Sequence, residues 1–219
     1  MTTKTPLAVA LAAMSLAATP LVPASAADQA GQFDFYVLAL SWSPSWCAAH
    51  PDRNQKGQCD PQKNYGYIVH GLWPQNEHGF PQFCATREPD RVPFEVGKPY
   101  LDIIPSIGLI GHEWRKHGVC SGLKQADYFA TIKKAYQAVT IPPALAHVDK
   151  AESVAPADIE KAFLAANPGM KAEGIAVACS GKMLEEVRIC LNKDLSFRDC
   201  AEVDRKACSL SSIQVPPVP

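Results

Sequence analysis

Apolar and polar residues fall in blocks along this chain, and the period within each block predicts its structure. Phe33 to Trp42 is aromatic or aliphatic throughout except at Asp34 and Ser41. A run this short, rich in β-formers and apolar on both faces, predicts a central strand covered on both sides. Ser43-Pro44 stops it. Cys47 to Lys63 is polar and holds Gly57, so it reads as a loop, and Tyr65 to Val69 predicts a second short strand that ends at His70. Pro81, Pro89, Pro93, Pro99 and Pro105 make residues 81–105 mostly loop, because proline supplies no amide hydrogen to a ladder or helix.

Helical spacing dominates the next third. Leu109 to Val119 predicts a helix, and Tyr128, Phe129, Ile132, Tyr136 and Val139 mark one face of another, ended by Pro142-Pro143. A third helix spans Ala157 to Ala166, with Pro156 before it and Asn167-Pro168-Gly169 after it. Ile175 to Cys179 and Val187 to Leu191 predict two late strands joined as a hairpin through Ser180-Gly181-Lys182. The tail, Ser209 to Pro219, is expected to fray. Strands and helices mix without regular βαβ alternation. This favours an α+β fold: a single disulfide-rich domain with a central, mostly antiparallel sheet packed by helices.

The first residues carry a different signal. Lys4 is the only charge before Asp28, an apolar run covers Leu7 to Leu16, and Ala24-Ser25-Ala26 follows. This is the pattern of a secretory signal peptide, expected over residues 1–26. The mature domain is then 27–219, placed outside the cytoplasm, secreted or periplasmic. The run is too short for a membrane span, and no later segment approaches about 18 apolar residues. The eight cysteines, Cys47, Cys59, Cys84, Cys120, Cys179, Cys190, Cys200 and Cys208, all lie after the leader. In an exported chain they imply four disulfides. Eight cysteines allow about a hundred pairings, and spacing does not choose among them.

Charge narrows the function. With 21 basic and 22 acidic residues the net charge is −1. A broad basic nucleic-acid surface is thereby excluded, and any nucleic acid must be handled in a local cleft.

Two segments carry the chemistry. One is His70-Gly71-Leu72-Trp73-Pro74, where the glycine permits close approach of another group. The other is His112-Glu113-Trp114-Arg115-Lys116-His117-Gly118. On a helix, with His112 at zero, Lys116 falls at about 40°, Glu113 at about 100° and His117 at about 140°. Four ionisable groups share one arc, while Trp114 and Arg115 lie outside it. A core face would not hold a Glu and a Lys, and a solvated face needs no paired histidines. Zinc is the rival reading, but H-E-x-x-H needs a spacing of four, whereas His112 and His117 are five apart with cationic Lys116 between them. No Ser or Cys stands in a nucleophile setting. Two histidines with Lys and Glu therefore suit phosphoryl transfer from a nucleophile within the substrate, the 2′-OH of RNA.

At these residues the chain resembles the ribonuclease T2 family. The resemblance rests on His70 to Pro74 and His112 to Cys120, and extends to the strand Phe35 to Trp42, the Ser43-Pro44-Ser45-Trp46-Cys47 turn and the late cysteines. It implies a metal-independent endoribonuclease, without cofactor, that cuts single-stranded RNA with low base specificity. Cleavage would pass through a 2′,3′-cyclic phosphate to a 3′-phosphate. By motif position His117 is expected to be the general base and His70 the general acid, and His112 to hold the phosphate. Glu113 and Lys116 would stabilise the pentacoordinate phosphorus, with Glu113 also modulating His117, and Trp73 would form a base-binding wall. The implied pairings are Cys47–Cys59, Cys84–Cys120, Cys179–Cys208 and Cys190–Cys200. Val119, Gln75 and Leu109 depart from residues common in the family, a Thr, an Asp and an aromatic respectively. A monomer acting on RNA, off the membrane, is expected. The alternative is a catalytically weak secreted RNA-binding module, whose signature would be loss of one of the two histidines.

Overall fold

The computed structural model describes Met1, residues 28–53 and residues 57–219; the leader read over residues 1–26 otherwise lies outside the described residues. Among the described residues the strands are β1 (Phe35–Trp42), β2 (Tyr67–Gln75), β3 (Glu152–Val154), β4 (Ile175–Ser180), β5 (Met183–Leu191) and β6 (Ile213–Val215). The helices are α1 (Ser43–Ala49), α2 (Phe94–Gly97), α3 (Ile107–Lys116), α4 (Gln125–Gln137), α5 (Pro143–Ala146), α6 (Pro156–Ala166) and α7 (Ala201–Asp204). The strands form one sheet in the order β2-β1-β5-β6-β3, with β4 on β5. Every pairing is antiparallel except the single contact of Met183 with Gln214. The result is the α+β fold that the irregular mixture of strand and helix periods predicts.

β1 is covered on both faces, and the alternation of its side chains divides two cores. Tyr36, Leu38, Leu40 and Trp42 join the main core, which includes Ile110 and Trp114 of α3, Tyr128, Phe129 and Ile132 of α4, and Ile159 and Phe163 of α6. Phe35 and Val37 point the other way, into a small cluster with Ala176, Cys190, Cys200 and Val203. The buried Tyr128 hydroxyl donates to Leu72 O at 2.9 Å and so ties α4 to β2. Four disulfides join Cys47–Cys59, Cys84–Cys120, Cys179–Cys208 and Cys190–Cys200, the same pairs that the family resemblance implies.

Three local expectations need correction, and the reading of residues 81–105 as mostly loop holds with one addition. β2 does not end at His70 but continues to Gln75, because residues 71–75 pair with Ala39 to Phe35 of β1. Pro74 is tolerated in it because β2 is an edge strand. Ser43-Pro44 ends β1 but also opens α1, since the first turn of a helix has no use for a proline amide hydrogen. The segment 81–105 is largely irregular yet holds α2 and a 3₁₀ turn, Lys98–Tyr100. The tail is not frayed. Ile213 and Val215 are buried, β6 pairs with β3, and Trp42 Nε1 donates to Pro216 O at 3.0 Å.

This attachment can be tested. Ile213→Ala is expected to lower stability by about 2–5 kcal/mol, as for other buried aliphatic truncations, read as a fall in the urea midpoint. An unchanged midpoint would mean that the tail is not part of the folded core.

Candidate active site

The sheet presents a cleft of about 280 Å³. Its lining includes His70, Trp73 and Gln75 of β2, His112, Glu113 and Lys116 of α3, His117 just beyond, and Glu186 and Arg188 of β5. The six residues singled out in the sequence, His70, Trp73, His112, Glu113, Lys116 and His117, therefore meet in one place.

β2 delivers its share through an irregularity. Gly71 pairs with Ala39 and Val69 pairs with Leu40, so His70 is the extra residue of a bulge. In a regular strand, residue 70 would face opposite to residues 71, 73 and 75. The bulge brings it to the cleft beside Trp73 and Gln75, the kind of re-aiming for which bulges recur beside functional sites.

α3 begins at Ser106, whose Oγ accepts from Leu109 N at 3.2 Å, a standard cap. Its last turn carries Arg115 and Lys116, cations that suit the negative end of the helix dipole. His117 leaves the helix at its C-cap while its amide still donates to Glu113 O at 2.9 Å. Trp114, outside the ionisable arc, is buried and donates to Pro89 O. The Cys84–Cys120 disulfide and the bond from Phe83 N to Lys116 O, 2.9 Å, clamp this helix end to the chain that follows β2.

Glu113 is buried in the floor of the cleft, with 1% of its side chain exposed. Its Oε2 accepts from Trp73 Nε1 at 2.7 Å, and its Oε1 lies 3.6 Å from His70 Nε2 and 3.9 Å from His112 Nε2. Gly71 is required for this: a Cβ there would fall inside the Glu113 carboxylate and the Trp73 ring. Burial pushes the Glu113 carboxyl up to about 7, although His70, the Trp73 hydrogen bond and Lys116 work against it.

The two histidines of the separate motifs are driven apart. For His70, burial favours the neutral ring, but the hydrogen bond to Glu186 and the charges of Glu113 and Glu186 outweigh it and raise the pKa. For His117, burial, then Lys116, His70 and His112, all act in the same direction and lower it to about 3. The His117 ring stacks on Trp73, with centroids 5.2 Å apart and planes at 29°. Its Nδ1 is buried with no hydrogen-bond partner among the described residues. His112 is more exposed, and its pKa is lowered first by its own desolvation and then by Lys116, His70 and Arg115.

Glu186 and Arg188 escaped the sequence reading. Glu186 lies one residue before the strand as read from Val187, and outside the Ser180-Gly181-Lys182 turn. A signal was there: Glu186 and Arg188, two apart beside the apolar Val187 and Ile189, must share one face of a strand. Phe80, equally compatible with packing or base contact, lines the cleft with its ring 6.2 Å from that of His117. The other histidines lie outside the cleft lining: His50 stacks on Trp46, His78 is 90% exposed, and His147 pairs with Asp149.

The fold and cleft define a disulfide-bonded α+β protein with two oppositely perturbed histidines over buried carboxylates. The sequence profile of the ribonuclease T2 family matches residues 33–200. A ribonuclease of Aeromonas hydrophila is 38% identical over 174 residues, covering 77% of this chain and 76% of that one. Among solved structures, an RNase-related protein from Calystegia sepium is similar with a TM-score of 0.68 and 23% identity, over 85% of this chain and 98% of the other. RNase NT, solved in complex with 5′-AMP, is similar with a TM-score of 0.64 and 22% identity, over 85% and 99%. The chain belongs to the ribonuclease T2 family. It is an endoribonuclease, and RNA is its substrate.

The raised Glu113 pKa has a consequence for stability. The folded state holds this proton more tightly than the unfolded chain, so the penalty is absent below the ordinary value of 4.5 and complete above about 7. Stability from this group therefore falls as pH rises through that window. Glu113→Gln should remove the fall, so its melting temperature should gain on the parent between about pH 5 and about pH 8. A difference that does not change with pH would show that Glu113 is ionised throughout.

Proposed function

We propose that the protein cleaves single-stranded RNA by transphosphorylation, with His117 as general base and His70 as general acid. The observation that carries the reading is the opposite perturbation of the two histidines within one cleft. A base must be neutral and an acid protonated at the same pH. His117 takes the proton of the 2′-OH; the 2′-oxygen bonds to phosphorus; the bond from phosphorus to the 5′-oxygen breaks; His70 protonates the departing oxygen. Lys116 and His112 hold the phosphoryl oxygens, and Glu113 supports the charge that builds on phosphorus. Water then opens the 2′,3′-cyclic phosphate to a 3′-phosphate with the two histidines in exchanged roles. Trp73 forms part of the wall that the base meets, and aromatic contact of this kind tolerates every base, which supports low base specificity.

The proposal is metal-independent. The five-residue spacing of His112 and His117, with Lys116 between, disfavours a cation, and no group of three His, Cys, Asp or Glu side chains among the described residues is arranged to hold a metal. Residues 1–26 are proposed as a signal peptide and 27–219 as the exported catalytic domain; four disulfides suit an oxidising compartment.

The pH profile follows in sign. Activity should be lost as pH falls through the depressed His117 value, and lost again as pH rises through the His70 value, above the ordinary 6.5. The kcat/KM profile should therefore be a broad bell with its acid limb well below that ordinary value. His117→Ala and His70→Ala should each lose about 10²–10⁴-fold in rate. Each should also remove its own limb, the acid limb for His117 and the alkaline limb for His70.

The nucleophile is tested with a defined RNA bearing one 2′-O-methyl group, digested in excess EDTA. The strand should resist cleavage immediately 3′ of the blocked nucleotide and be cut elsewhere, with cyclic phosphate ends appearing first. Cleavage at the blocked linkage would exclude the 2′-OH as the attacking group.

A further inference from the structure

One buried carboxylate on the cleft wall has no part in the two proton transfers. Glu186 sits on β5, between β1 and β4, and 3% of its side chain is exposed. Its Oε2 accepts from His70 Nδ1 at 3.0 Å and from Ser41 Oγ at 3.4 Å. Arg188 Nε and Nη2 both lie 2.7 Å from its Oε1. Donors thus reach this carboxylate from three adjacent strands. Ser41 stands directly across from Glu186 in the β1–β5 ladder, and Arg188 is its same-face neighbour along β5. His70 reaches it from the bulge in β2.

We infer that Glu186 is a positioning residue for His70: it accepts the Nδ1 proton and so presents Nε2–H to the leaving oxygen. The inference rests on His70 being the general acid. An imidazole has two nitrogens, and the partner of one decides which tautomer the other shows. With Nδ1 committed to Glu186, Nε2 is the nitrogen on the side of Glu113, 3.6 Å from its Oε1. Arg188 secures the arrangement, since a buried carboxylate keeps its charge only when paired and hydrogen-bonded. The charged and titratable groups that line the cleft with His70 are Glu185, Glu186 and Arg188 on β5, His112, Glu113 and Lys116 on α3, His117 at its end, and Lys206 beyond α7. Glu186 alone among them makes a hydrogen bond to the ring. That bond is the largest influence holding the His70 proton on against burial.

The test compares two substrates. A dinucleotide needs a proton on its departing 5′-oxygen. A nucleoside 3′-(p-nitrophenyl phosphate) does not, because p-nitrophenolate leaves as the anion. Glu186→Gln should lower kcat on the dinucleotide by about 10–100-fold, part of the range of a general acid. It should leave KM within about twofold, leave the p-nitrophenyl ester within about threefold, and shift the alkaline limb to lower pH. Glu186→Asp should recover part of the loss. Equal losses on both substrates, or an unmoved alkaline limb, overturn the inference. His70→Ala separates the two levels. If its loss is also independent of the leaving group, His70 is not the acid and the underlying mechanism fails. If only Glu186→Gln lacks the dependence, the mechanism stands and the role of Glu186 fails. Should Glu186→Gln not fold, ¹⁵N NMR of the parent decides: neutral His70 should carry its proton on Nδ1, and a ring protonated on Nε2 overturns the inference.

Discussion

Two carboxylates buried beneath one cleft set the terms for everything around them. Glu113 and Glu186 are 1% and 3% exposed, and neither can remain there without donors. The donors on hand are the indole of Trp73, the guanidinium of Arg188, the hydroxyl of Ser41 and the imidazole of His70. Satisfying the carboxylates fixes the position of each of these groups. The two acids are also treated differently: Glu113, with a single neutral donor at hydrogen-bond distance, is pushed up, whereas Glu186, with Arg188 and His70, is held low despite burial. His70 lies between them and gains charge; His117, packed on the Trp73 ring beside Lys116, loses it. Within one desolvated cleft the two histidines are thus shifted in opposite directions.

The backbone serves that floor at three points. The bulge after Val69 turns His70 to the cleft face, and the bare Cα of Gly71 leaves room for the Glu113 carboxylate. The Cys84–Cys120 bond holds the end of α3, from which His117 projects. The segments bearing His70 and His117 come from different secondary structures, so their relative placement depends on covalent and core contacts. The Tyr128–Leu72 hydrogen bond and the Trp114–Tyr128 packing supply those contacts from the core side.

Much of this is legible in the sequence, because period and residue type are local signals. The helical projection groups His112, Glu113, Lys116 and His117 on one arc, and all four line the cleft. The apolar run from Phe35 to Trp42 marks the doubly covered strand. What was illegible depended on distant partners. His70 reads as the end of a strand because nothing local reveals that residues 71–75 pair with β1. Glu186 falls just outside the strand read from Val187, because its reason for being buried lies 116 positions away, at His70. β6 is too short to declare itself without β3 beside it.

The edge of the sheet carries a further consequence. β2 is the outermost strand beyond β1, and an open strand edge invites other chains to add to it. Three features close this one. Pro74 has no amide hydrogen to offer, Val69 N is already engaged by Ile103 O at 2.8 Å, and the bulge at His70 breaks the regular spacing of donors and acceptors. The distortion that aims the imidazole is thus also a guard against aggregation. Straightening β2 would turn His70 from the cleft and at the same time remove one of the three features that guard this edge.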